Sequence, residues 1–289
     1  MIGNPAAGYG FNKTRIYGLV RILEDRGYEV KTHVTASPGD ARRMACQIGQ
    51  DEAILLVAGG DGTLNEVING LNDPSRIPLL LFPMGTSNSM AKELGLSKRL
   101  DSVANTLEQG MIRRVDMGRV SERRFLLFVS AGLDAMVTRE VLRRGRTGLG
   151  YGRYIIPIIK TLASYRAPDL KVVVDGHELR GGMVLVSNTR PYGWIFRMAD
   201  LARCDSGHLD ICVFPGRKVS DFLRYAHAAS LSRVSKIHDV HYVTGREIFI
   251  DSNEPVPVQV DGDYYGTTPI RINFYPSFVP ILVPQTHRP

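Results

Sequence analysis

The stretch Val57-Ala58-Gly59-Gly60-Asp61-Gly62-Thr63-Leu64-Asn65-Glu66 constrains this chain more than any other. A buried apolar run, Ala53 to Ala58, ends at two glycines, and an acidic residue, a third glycine and a threonine follow. An amphipathic helix then begins, with Leu64, Val67, Ile68 and Leu71 at helical spacing. Glycines at a strand-to-helix turn let the backbone fold tightly and bring bare N–H groups against a ligand. The helix N-terminus adds partial positive charge, which suits an anion such as phosphate. An aspartate there would repel a naked phosphate, so it makes better sense beside a divalent cation that the phosphates also bind.

The same strand–loop–helix grammar runs through the first part of the chain. Met1 to Gly10 is a turn-rich loop with only two residues ahead of Gly3, so the strand expected there is missing or a stub, unless the coding start is misplaced. A helix is expected from Asn12 to Arg26, a strand over Tyr28–Val34, a helix over Asp40–Ile48 and a buried strand over Pro78–Pro83. A second glycine turn, Pro83-Met84-Gly85-Thr86-Ser87-Asn88-Ser89, leads into a helix over Met90–Leu94. This alternation fits a parallel sheet with right-handed crossovers, whose ligands sit beyond the carboxyl ends of the strands. From about Val115 the texture changes. Strands over Val115–Val120 and Phe125–Ser130 precede helices around Ala135–Arg144 and Tyr154–Tyr165. Short strands follow over Leu170–Val174, Met183–Ser187, Leu209–Phe214, Glu247–Ile250, Val256–Val260 and Ile270–Phe274. Asp175-Gly176 and Asp261-Gly262 punctuate them as turns. An α/β half followed by a mainly β half is expected, with the apolar stretch Phe278–Val283 packing back on the first domain.

Charge narrows the partners. The chain carries a net charge of +7, which favours nucleotides or acidic lipid headgroups. Nucleic acid is disfavoured, because the basic residues are not interleaved with aromatics and no such motif occurs. Cys46, Cys204 and Cys212 have no metal-like spacing and read as reduced thiols of a cytoplasmic protein. No apolar run reaches spanning length. The glycine loops are not a P-loop, since no Gly-Lys-Ser/Thr occurs, and Gly8-Tyr9-Gly10 lacks the third glycine of a dinucleotide fingerprint.

Asn4-Pro5-Ala6-Ala7-Gly8, Gly59 to Glu66, and Pro83-Met84-Gly85-Thr86-Ser87-Asn88 resemble three successive motifs of the diacylglycerol kinase catalytic domain family. That family includes soluble bacterial lipid kinases, sphingosine kinases and ceramide kinases. Val260-Asp261-Gly262-Asp263 is similar to its late Asp-Gly-Glu segment, so the motifs reach from residue 4 to residue 263. The Gly-Gly-Asp-Gly-Thr element alone is shared with NAD kinases. The resemblance implies an α/β N-terminal domain with an NAD-kinase-like parallel sheet over 1–116. It further implies a mainly β, sandwich-like domain over 117–276 that takes the lipid, and a tail over 277–289. ATP would bind in the cleft between the domains, lined by Asn4, Pro5, Ala6, Ala7, Gly8, Thr35, Gly59, Gly60, Asp61, Gly62, Thr63, Leu64, Asn65 and Thr86. Asp61 would sit near the Mg²⁺ of Mg-ATP. Asp261 falls at the general-base position and Asp263 at the supporting glutamate position, one methylene shorter. Two departures stand out. Asn88-Ser89 replaces the Asn-Asp of bacterial relatives. In Cys204-Asp205-Ser206-Gly207-His208-Leu209-Asp210, Ser206 replaces an aspartate that ligates a structural metal, which leaves Asp205 as a tentative ligand beside a metal-free turn.

Plainer readings stand beside these. Asp61 is also a reasonable helix N-cap, and Asp261-Gly262 an ordinary β-turn. Thr35 and Thr86 also fit as helix caps. Arg139, Arg143, Arg144, Arg146 and Arg153 beside Ile155, Ile156, Ile158 and Ile159 fit either a solvated face or a patch resting on an anionic membrane. Trp194 either lines a lipid entrance or plugs a core. The reading is an ATP- and Mg²⁺-dependent lipid kinase acting from the cytoplasm as a peripheral membrane protein, with a homodimer left open. NAD kinase is the alternative within enzymes, and a catalytically weak lipid- or nucleotide-binding regulator the alternative outside them.

Overall fold

The computed structural model describes residues 1–8, 12–49, 52–143, 152–163, 165–193 and 195–285. Arg144, Arg146, Trp194, Tyr9 and Gly10 lie outside them, as does the side chain of Arg153. The chain divides into two units, Met1–Val115 with Ser277–Pro289, and Asp116–Pro276.

The first unit alternates strands and helices: β1 (Ile2–Gly3), α1 (Lys13–Asp25), β2 (His33–Val34), α2 (Asp40–Cys46), β3 (Leu55–Gly59), α3 (Asp61–Gly70), β4 (Leu79–Pro83), α4 (Ser89–Glu93) and α5 (Leu100–Gln109). Its strands pair in the order β2-β1-β3-β4, all parallel. β3 and β4 are apolar and buried along their whole length, as strands covered on both faces require. Ile16, Leu19 and Leu23 of α1 share a core with Leu56, Ala58, Leu80 and Phe82 of the sheet and Val103 and Ala104 of α5. β1 is a stub, with Ile2 paired to both His33 and Val57. The stub also limits β2. The strand expected over Tyr28–Val34 shrinks to two residues, because β1 offers only two to pair with.

The second unit begins within β5 (Met111–Val120) and continues through β6 (Arg123–Phe125), β7 (Phe128–Ala131), α6 (Leu133–Arg143), α7 (Gly152–Ala163), β8 (Leu170–Val174), β9 (His177–Gly181), β10 (Met183–Ser187), β11 (Leu209–Phe214), α8 (Val219–Ser230), β12 (His241–Gly245), β13 (Glu247–Ser252), β14 (Pro257–Val260), β15 (Asp263–Thr267) and β16 (Ile270–Val283). Six strands form an antiparallel sheet in the order β12-β11-β10-β7-β14-β15. A second antiparallel set runs from the first part of β16 through β13 and β8 to β9. Val172, Val174, Ile248, Ile250 and Ile272 of this set share one core with Val129, Val184, Val186, Ile211 and Val258 of the six-stranded sheet. Two inner faces meeting this way make a sandwich. The α/β-then-β architecture is therefore the one expected. β16 runs much further than expected: from Ser277 it belongs to the first unit, where Ile281 pairs in parallel with Leu79. Among the described residues no helix is long and apolar enough to cross a membrane.

Candidate active site

β1, β3 and β4 run the same way, so the loops that follow them gather beyond one edge of the sheet. β1 lies between β2 and β3, and the chain order reverses there, which is where open α/β sheets bind ligands. Asn4 closes that point. Its Nδ2 donates to Thr63 Oγ1 at 3.0 Å, its Oδ1 accepts the Ala6 N–H at 3.0 Å, and its own N–H donates to the Ala58 carbonyl at 2.8 Å. The loop Pro5-Ala6-Ala7-Gly8 is thereby tied to the start of α3.

The three motif loops pack backbone against backbone. A Cβ on Gly8, which has φ +66°, would fall 2.5 Å from the Met84 carbonyl oxygen. A Cβ on Gly85 would fall 2.5 Å from the Gly60 Cα, and one on Gly59 2.5 Å from Thr63 Oγ1. Gly62 differs: it is exposed, and nothing lies within 4 Å of where its Cβ would be. Protein packing does not demand glycine there, and the open space is what an approaching ligand needs. Gly60 caps α3 in an extended conformation with no side-chain hydrogen bond, and the first N–H groups of a helix have no intrahelical acceptor. The cradle can therefore hold an anion with backbone alone.

Charged groups surround it. Asp61 Oδ2 accepts the Ser89 N–H at 2.9 Å and Oδ1 the Met90 N–H at 3.2 Å, so Asp61 joins the starts of α3 and α4. Lys92 of α4 stands near it; burial lowers the ammonium's pKa and the charge of Asp61 partly offsets that. Asn88, left-handed at φ 51°, clips the Gly85 loop twice, accepting from Gly85 N–H at 2.8 Å and donating to Gly85 O at 2.6 Å. Ser89, where the sequence resemblance leads one to expect aspartate, has its hydroxyl 2.9 Å from that of Ser87. Leu64 and Asn65 are buried beneath the loop, and Thr86 is half-buried. Thr35 is buried and donates its N–H to the Gly3 carbonyl at 2.9 Å. Its loop is held from two sides. Glu66 accepts the N–H groups of Gly39 (3.0 Å) and Ala41 (3.2 Å), and Asp40 accepts those of Ala36 (2.8 Å) and Ser37 (2.9 Å). Glu66 thus ties α3 to the start of α2.

In the second unit Asp261 and Gly262 both have positive φ, 50° and 86°, and form the tight turn from β14 into β15. The Asp261 carboxylate accepts backbone N–H groups from Leu126 (3.1 Å), Leu127 (2.9 Å) and Phe128 (3.0 Å). Those amides explain a departure from the expected strand over Phe125–Ser130. It breaks into β6 and β7 because Leu126 and Leu127 turn their N–H groups to Asp261 rather than to a neighbouring strand. Asn188, wholly buried, holds the same segment from its carbonyl side, donating Nδ2 to Leu126 O at 2.9 Å and its N–H to Leu127 O at 2.8 Å. Asp263 pairs with Arg123 at 3.0 Å, and Arg123 also donates to the Val260 carbonyl at 3.3 Å. The amide donors and Asn188 have no motif signal of their own, since their role depends on a contact made far away in sequence.

The Asp205 turn does not fit a structural metal. Asp205 pairs with Arg203 at 3.3 Å, Ser206 Oγ donates to the His208 carbonyl at 3.1 Å, and Gly207 N–H donates to Asp116 at 2.7 Å. Among the described residues no three His, Cys, Asp or Glu side chains are grouped to hold a metal ion.

Comparisons with known proteins agree with the two-part architecture. Residues 1–120 match the diacylglycerol kinase catalytic domain, and residues 127–283 match the YegS C-terminal NAD kinase beta sandwich-like domain. The chain is 30% identical to the diacylglycerol kinase of Bacillus subtilis (strain 168), covering 95% of this chain and 93% of that protein. It is 28% identical to the diacylglycerol kinase of Staphylococcus saprophyticus, covering 93% and 90%. The crystal structure of a diacylglycerol kinase from Bacillus anthracis str. Sterne matches with a TM-score of 0.79 and 25% identity, over 98% of this chain and 96% of that one.

Proposed function

The chain belongs to the diacylglycerol kinase catalytic-domain family, and on that premise we propose an ATP-dependent lipid kinase that phosphorylates the hydroxyl of diacylglycerol. The observation that carries this reading is the glycine cradle. Three loops are locked together by backbone contact, and one glycine, Gly62, is left open on the outside. Backbone N–H groups of Gly60, Gly62 and Thr63 would hold phosphate oxygens. Mg²⁺ arrives with ATP as part of the substrate, and Asp61 is the carboxylate beside the cradle. Phosphoryl transfer asks a protein mainly for positioning and charge neutralisation. Asp261 would take the proton of the lipid hydroxyl as its oxygen bonds to the γ-phosphorus. The bond to the β–γ bridging oxygen breaks, and ADP leaves. Three N–H donors fix the direction of the Asp261 carboxylate in advance, and Arg123 steadies Asp263 beside it.

The lipid would be met at an anionic bilayer surface from the cytoplasm. Ile156 and Ile159, on one side of α7, are exposed at 53% and 61%, an apolar pair of the kind that rests on lipid headgroups and acyl chains. The deciding experiment incubates the protein with labelled ATP and, separately, diacylglycerol, phosphatidylglycerol, a long-chain base and NAD. Label is expected in the phosphorylated diacylglycerol. Label in NAD alone would make the protein an NAD kinase, and label nowhere would leave a binding protein.

A further inference from the structure

Beneath the Asp261-Gly262 turn lies a polar chain that the reaction itself does not call for. Gln259 of β14 is 1% exposed and sits directly opposite Ser130 of β7, also 1% exposed, in the antiparallel register. Its Oε1 accepts the Gly262 N–H at 2.7 Å. Its Nε2 donates to Ser130 Oγ at 2.9 Å and to Asp134 Oδ2 at 3.1 Å. Ser130 donates its hydroxyl to the same Asp134 oxygen. The pairing of β14 with β15 is irregular at Val258 and Gln259, the kind of local bulge that re-aims a side chain.

The amide of Gln259 has one orientation that satisfies all of these partners. Its oxygen must face the Gly262 N–H, and its NH₂ must face the two oxygens. Asp134 Oδ2 enforces that orientation, because it already accepts the Ser130 hydroxyl and so meets the Gln259 amide as an acceptor; Tyr192 bonds to the same carboxyl, whose pKa burial pushes up. A buried amide left half-partnered would be costly, so the chain holds as a unit. Its far end is the backbone N–H next to Asp261. That residue sits in the left-handed region at φ 50°, which the Asp-Gly turn favours and which fixes where its side chain leaves the backbone.

We propose that Asp134, Ser130 and Gln259 form a positioning relay. Asp134 orients the Gln259 amide, which pins the Gly262 N–H and so holds the Asp261 carboxylate in its reactive direction. The inference rests on the reading of Asp261 as the base. Gln259 and Asp134 are positioning residues and touch neither substrate nor the transferred phosphoryl group.

The test is a donor–acceptor exchange measured by steady-state kinetics on the full chain. Gln259→Glu keeps an acceptor for Gly262 but sets two carboxylates face to face, and kcat is expected to fall about 10- to 100-fold. KM for ATP should stay within about twofold, because the nucleotide loops are untouched. Adding Asp134→Asn restores a donor opposite the introduced carboxylate, and kcat is expected to recover most of the loss. Gln259→Met, which keeps the volume and carries no donor or acceptor of comparable strength, should lower kcat without recovery from Asp134→Asn. It also serves if Gln259→Glu does not fold. Wild-type kcat in a folded Gln259→Glu or Gln259→Met protein would overturn the relay, as would absence of recovery in a folded double variant. Asp261→Asn separates the two ideas. If it is fully active the base assignment itself fails. If it is inactive while the Gln259 variants turn over normally, only the relay fails.

Discussion

Gly62 and Gly85 are glycines for opposite reasons, and substitution separates them. Gly85→Ala drives a Cβ to within 2.5 Å of the Gly60 backbone, so the two loops must part. The expected outcome is a loss of about 1–3 kcal/mol in thermal or denaturant unfolding, together with loss of ATP binding. Gly62→Ala meets nothing within 4 Å and lies in the first turn of α3, where alanine is the better helix former. Its melting temperature should hold or rise slightly. If the cradle receives phosphate, KM for ATP should still rise about tenfold or more, because the new methyl occupies the ligand's side. An unchanged KM would remove Gly62 from the site. The glycine-rich loops were plain in the sequence, as was the order of the four motifs. What could not be read there was which glycines serve the ligand and which serve one another. The contact of Gly60 with Gly85 and that of Gly8 with Met84 join residues far apart in the chain. Asp61 shows the same limit: its position was legible, but its bonds to the start of α4 were not.

Single elements carry their own electrostatics. Asp40, at the start of α2, accepts the Ala36 N–H and also the hydroxyl and N–H of Ser37, and these bonds bring its carboxyl down to about 2. A carboxylate whose folded pKa is depressed stabilises the fold above its ordinary value of 3.8 and loses that contribution as pH falls towards 2. Asp40→Asn should lower the melting temperature at neutral pH and flatten its decline between pH 4 and 2, so that the two proteins converge in acid. Parallel curves over that range would show that Asp40 does not carry the linkage. Among the elements, β8, β10 and β11 fall where alternation and apolar runs placed them, because their residues are strand formers packed on a sandwich core. α5 and α8 went unmarked. Leu100, Val103, Ala104 and Leu107 carry a helical period, but Asp101, Ser102 and Asn105 between them look like turn formers. In α8 the buried face rests on Phe222, Tyr225 and Ala229, a sparse stripe with two aromatics that favour strands as readily as helices.

On the scale of the whole molecule, the last strand matters most. Val279, Ile281, Leu282 and Val283 are buried, and Leu282 shares the first unit's core with Leu80 and Phe82. Burying side chains of this size is worth about 1.5–3 kcal/mol each, and a domain's whole stability is only about 5–15 kcal/mol. A chain ending at Pro276 should therefore be recovered as aggregate, with β4 left as an open apolar edge. Sedimentation of the expressed protein checks this: a soluble, cooperatively melting 1–276 chain would show that the returning strand is dispensable. The same feature sets a timetable during synthesis. The partner of Leu79 is Ile281, so β4 leaves the ribosome long before its neighbour has been translated. At about 5–20 residues per second that interval is roughly ten seconds or more. The nascent first unit spends it with an unguarded apolar strand, the kind of surface a holdase chaperone covers.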